Sequence, residues 1–86
     1  MNKQEIIDEL GKQVHRVQDL AFTFEYSHPG RYKALCEMGD EFFEIANRYE
    51  TNEIALDQAI SEWLEKSDEL RAYLKGLQAT EIVSVQ

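Results

Sequence analysis

An all-α fold, an antiparallel three-helix bundle, is what this sequence predicts, and three observations predict it. Apolar residues recur at alternating spacings of three and four along three stretches, the period of helices that bury one face. Short polar breaks part those stretches, Ser27-His28-Pro29-Gly30 and Thr51-Asn52. The 86 residues are 43% hydrophobic and 30% charged, a globular composition with a core large enough for one domain spanning 1–86.

The first helix is expected over about 3–26. Ile7, Leu10, Val14, Val17, Ala21 and Phe24 form one seam, and Asn2 with Glu5 fits a capping box at its start. Ser27 or His28 is placed to cap the second helix, about 30–50, with Pro29 in its first turn. The second seam runs Tyr32, Leu35, Gly39, Phe42, Ala46, Tyr49, widened by Cys36 and Phe43. Thr51 and Asn52 are expected to cap the third helix, about 53–76, with Glu53 at its positive end. Its seam is Leu56, Ile60, Trp63, Ser67, Leu70, Leu74 and Leu77. Gly76 is expected to end that helix, leaving 77–86 as a tail whose Ile82, Val83 and Val85 suit a short strand or a frayed end. Short connections make consecutive helices antiparallel neighbours. Similar seams on all three also permit a homodimer in which two hairpins complete a larger helical core.

Charge narrows the function. The net charge of −8 is carried by the middle of the chain: residues 37–69 hold eleven acids against Arg48 and Lys66, while residues 1–36 balance five acids with five bases. Phosphate contacts need clustered Lys and Arg, so direct nucleic-acid binding is disfavoured, as is an anionic membrane. No apolar run reaches the eighteen or so residues of a membrane span. Asp8 and Glu9 interrupt the first apolar stretch, so no secretory signal is expected and the cytoplasm is the expected location. Cys36 is the only cysteine and reads as a buried structural thiol.

The segment Phe22-Thr-Phe-Glu-Tyr-Ser-His-Pro-Gly-Arg-Tyr32 concentrates four aromatics at the first corner. Phe24 and Tyr32 belong to the seams on either side. Phe22 and Tyr26 lie off the seams one helical turn apart, and form a candidate binding patch. Glu25 and His28 have the Glu-x-x-His spacing of di-iron bundles, but no second such unit exists, so a corner histidine is expected. Gly39, on the second seam, is expected to leave a notch that Trp63 fills.

Asp40-Glu41-Phe42-Phe43-Glu44 and, after twenty residues, Glu65-Lys66-Ser67-Asp68 can be laid on a pattern of paired acidic motifs on two helices. That pattern resembles the E-E-x-x-E and E-x-x-D motifs of the MazG family, all-α nucleoside triphosphate pyrophosphohydrolases. A second frame, Glu37-Met38-Gly39-Asp40, puts Gly39 where that family often has glycine. The resemblance covers about residues 37–74. It implies a degenerate magnesium-dependent hydrolase in which Glu41, Glu44, Glu65 and Asp68 hold Mg2+.

The favoured expectation is binding without catalysis and without a cofactor. Glu41, Glu44, Glu62, Glu65, Asp68 and Glu69 fall mostly off the apolar seams and would form a negative face across helices two and three. With Phe22 and Tyr26 they are the candidate contacts to a basic protein surface. By analogy with small phage anti-defence and DNA-mimicking proteins, such a module would inhibit a nucleic-acid-binding protein by occupying its groove; an adaptor role through the same surface is the related expectation.

Overall fold

The computed structural model describes the backbone of residues 2–85 and the side chains of residues 2–77. It is an all-α three-helix bundle, α1 (Lys3–Phe22), α2 (Pro29–Glu50) and α3 (Leu56–Val85). No described helix is long and apolar enough to cross a membrane.

Helix α1 begins as its sequence predicts. The Asn2 side-chain oxygen accepts the Glu5 backbone N–H at 2.9 Å, and its amide donates to the Glu5 carboxylate at 3.2 Å. The helix ends four residues earlier than expected. The N–H groups of Thr23, Phe24 and Glu25 reach back three residues, to Leu20, Ala21 and Phe22. The Thr23 hydroxyl also donates to the Leu20 carbonyl at 2.6 Å. This tightening satisfies the last carbonyls and turns the chain before Pro29. Pro29 then occupies the first turn of α2, where its missing N–H costs nothing. His28 holds the N-cap position, but neither it nor Ser27 caps the helix by side chain; instead His28 Nδ1 lies 2.9 Å from Ser27 Oγ.

Thr51 and Asn52 close α2; they do not cap α3. Asn52 has φ 66°, the left-handed conformation that asparagine tolerates better than most residues. Its N–H bonds to the Tyr49 carbonyl at 3.1 Å and the Glu53 N–H to that of Arg48 at 2.8 Å, the two bonds of a Schellman motif. The following residue, Ile54, is thereby turned into the core. Helix α3 accordingly starts at Leu56, and it does not stop at Gly76. No glycine takes a positive φ, so the left-handed step that ends many helices is missing there. Helix α3 runs to Val85 through most of the expected tail; Gln86 lies outside the described residues.

The centre of the bundle is α2. Its buried residues Leu35, Gly39, Phe42, Ile45, Ala46 and Tyr49 span a broad arc, because α1 packs along one side and α3 along the other. Val14, Val17 and Ala21 of α1 face that arc. Trp63 is buried with its ring centroid 4.7 Å from that of Phe42, and its Nε1 donates to Gln13 at 2.7 Å. The notch at Gly39 is filled by Val17 and Gln18 of α1, not by Trp63. Two seam assignments also shift. Phe43 is 60% exposed and Ile45 takes the buried flank of α2. On α3 the buried residues among the described side chains are Ala59 and Trp63, while Leu56, Ile60 and Leu64 stay exposed. The reason is that the Cα atoms of α1 and α3 nowhere approach within 8 Å of each other among the described residues, so α3 packs closely on α2 and meets α1 through side chains such as Trp63 with Gln13.

Candidate acidic binding face

The acids of α2 and α3 meet along the line where these helices pack. Two cations lie embedded in it. Arg48 donates from Nη1 to Glu62 at 2.9 Å and has its Nε 3.6 Å from Glu53. Lys66 Nζ lies 2.8 Å from Glu41 and 3.3 Å from Glu69. The Gln58 amide adds a hydrogen bond to Glu62 at 3.2 Å. Both cationic side chains are about one-third exposed.

Charge follows geometry here. The hydrogen bond from Arg48 holds the Glu62 carboxyl below the usual glutamate range and raises the Arg48 guanidinium. Glu41 does the same for the Lys66 ammonium. Both cations of residues 37–69 are therefore spent on neighbours. Glu37, Asp40, Glu44, Glu50, Asp57 and Glu65 are all exposed and form no ion pair among the described residues. Asp68 pairs with Arg71 at 3.1 Å, both well exposed.

The acids singled out from the sequence thus divide into three groups. Glu41, Glu62 and Glu69 bind the two cations of the ladder, Asp68 pairs with Arg71, and Glu44 and Glu65 are exposed and form no ion pair among the described residues. The sequence pattern did not show that division. Within the ladder only the Lys66–Glu69 pair, three residues apart on one helix, was open to reading from spacing; Arg48–Glu62 and Lys66–Glu41 join different helices.

The four carboxylates of the MazG-like pattern do not fit a magnesium site. Glu41 is held by Lys66 and Asp68 by Arg71. No three Asp, Glu, His or Cys groups converge on one point among the described residues. No catalytic step follows from this arrangement.

Phe22 and Tyr26 are both exposed, and each lies within interaction range of Tyr32. Because α1 ends at Phe22, they are not successive rungs of a helix. The Phe22 ring lies 6.1 Å from that of Tyr32 across the corner, whereas Tyr26 is 91% exposed. Phe24 is likewise engaged, edge-on to His28 at 5.7 Å and beneath Arg31 at 5.5 Å. The His28 ring is committed to Ser27 and Phe24. Cys36 is half-buried beside Tyr32, whose hydroxyl it pushes up through their hydrogen bond.

No protein-family model, no curated protein and no solved structure matches this chain. What the fold and the site define is a class by architecture alone: a three-helix bundle with an acidic face on its second and third helices.

Proposed function

We propose that this protein is a small acidic binding module that engages a basic protein surface through the α2–α3 face. One observation carries the reading. The two cations within that face are already paired with Glu41, Glu53, Glu62 and Glu69, while Glu37, Asp40, Glu44 and Glu65 form no ion pair among the described residues, so the face keeps a net negative charge. A surface of this sign repels phosphate and attracts Lys- and Arg-rich proteins, accelerating their encounter. A rigid helical scaffold would hold the carboxylates at fixed spacing, as a mimic of the phosphate backbone requires. The module would act in the cytoplasm as an inhibitor occupying a nucleic-acid-binding groove, by analogy with DNA-mimicking anti-defence proteins of phage.

The test uses immobilised protein and a cell lysate at low and high salt. A captured basic protein should be released by salt and displaced by duplex DNA. Glu37→Lys, Glu44→Lys and Glu65→Lys combined should slow its association about tenfold or more. The same variant should fold with stability within about 1 kcal/mol of wild type, because exposed unpaired charges contribute little. Unchanged capture at low salt would reduce the acidic face to solvated surface.

A further inference from the structure

A second surface lies between α1 and α3, away from the acidic ladder. There Ile6 and Leu10 of α1 face Leu56, Ile60, Trp63 and Leu64 of α3 across an apolar trough of about 80 Å³, open along one side. Ile60 is 49% and Leu64 56% exposed, although both sit at helical spacings that elsewhere in the chain mark the core.

We propose that this trough docks a basic amphipathic helix from a partner protein. The chemistry of the floor selects a helix. The floor offers almost no hydrogen-bonding group, so an extended peptide would bury its N–H and C=O groups unpaired, whereas a helix satisfies its own. Side chains on the walls repeat at i and i+4, which matches apolar anchors at i, i+3, i+4 and i+7 of an incoming helix. The rim selects its charge. Glu5 and Glu9 adjoin Ile6 and Leu10, and Asp57 adjoins Leu56. Lys3, the cation of the first turn, is engaged by the Tyr49 ring and by Asn52. Lysine or arginine flanking the apolar anchors of the partner would therefore meet carboxylates. A second copy of this chain is disfavoured as occupant, since it would bring a net charge of −8 against the same acids. The inference concerns a surface distinct from the α2–α3 face and does not require that face to function.

Trp63 is the only tryptophan in the chain and lines the trough, so its emission reports occupancy. The probe is a synthetic peptide of roughly 18 residues, long enough to fold as a helix on binding, with leucine at i, i+3, i+4, i+7 and lysine elsewhere. Its controls are the same residues scrambled and the same pattern with glutamate for lysine. The patterned basic peptide should change the Trp63 emission and bind about tenfold or more tightly than either control, a difference of about 1.4 kcal/mol. Ile60→Glu should weaken binding despite adding negative charge, while Phe43→Glu, the same charge change at an exposed apolar residue off the trough, should not. Equal binding by the scrambled peptide, or tighter binding to Ile60→Glu, would overturn the proposal in favour of charge alone. Sedimentation showing a wild-type dimer that Ile60→Glu converts to monomer would overturn it in favour of a second copy. A failure here leaves the lysate capture and its Glu44 and Glu65 dependence standing, so the two readings fail separately.

Discussion

A β-carbon at Gly39 would lie 3.6 Å from Gln18 Cγ and 3.7 Å from Val17 Cγ1, ordinary van der Waals distances. Its φ is not positive. Neither a close approach nor a left-handed backbone therefore requires glycine at this helical position. Glycine in a helix interior costs about 0.5–1 kcal/mol relative to alanine, chiefly through the freedom of the unfolded chain. Gly39→Ala is expected to raise stability by about that amount, measured as a higher urea midpoint with an unchanged slope. A lower midpoint would show that α1 and α2 approach more closely than these distances. The neighbouring large side chain, Trp63, finds its partner one turn along α2 at Phe42 and spends its N–H on Gln13, so its ring is both packed and hydrogen-bonded.

Among the elements, the α2–α3 connection does more than join two helices. Asn52 ends α2 in the left-handed conformation, and the bonds it permits turn Ile54 inward, where it packs with Tyr49 and Trp63 in the same core. A residue with a β-carbon and no local hydrogen bond to offer is strained there by about 1–2 kcal/mol, and glycine is not. Asn52→Ala is therefore expected to lose about 1 kcal/mol relative to Asn52→Gly. Both variants lose the Lys3 contact to the Asn52 side chain, so their difference isolates the backbone term. Equal thermal stability of the two would remove the left-handed turn as the cause. By contrast, the first corner is held by short backward hydrogen bonds and the Phe22–Tyr32 pair, and no residue in it has a positive φ.

For the molecule as a whole, the backbone of α3 packs closely against α2 and not against α1 among the described residues. Phe42 and Trp63 supply the apolar part of that packing, and the ladder of Arg48–Glu62 and Lys66–Glu41 supplies the polar part. The Glu62 carboxyl is held below its ordinary value by the Arg48 hydrogen bond. In the unfolded chain that bond is gone and Glu62 returns to about 4.3. Folding therefore favours the ionised form. The stability this contributes is fully present above the unfolded value and is lost as pH falls through the lowered folded value. Glu62→Gln is expected to melt below wild type at about pH 7, with the gap closing below about pH 4, where wild-type Glu62 is protonating too. A gap of equal size in acid would assign the loss to packing and not to the ion pair. This backbone packing also explains the open trough. With α1 and α3 backbones kept apart, their facing apolar residues have no third helix to close over them.

The chain by itself determined that there would be three helices, because a period of 3.6 is a local property that survives without knowledge of any neighbour. It also determined the start of α1, where Asn2 and Glu5 act within one turn, and the acidic bias of residues 37–69. The tertiary structure decided the rest. Period places a stripe on a helix, but its burial depends on which helices stand beside it: Ile45 is covered and Phe43 is not, Ala59 is covered and Ile60 is not. The asparagine at 52 suits a cap or a left-handed stop equally well in the sequence, and the bonds to Tyr49 and Arg48 chose the stop. Likewise, the acids of α2 and α3 carry the same charge in the sequence. Only packing brought Arg48 and Lys66 between the helices, tying Glu41, Glu62 and Glu69 into the fold and leaving Glu44 and Glu65 to solvent, because an ion pair between helices needs a distance that spacing along one chain does not contain.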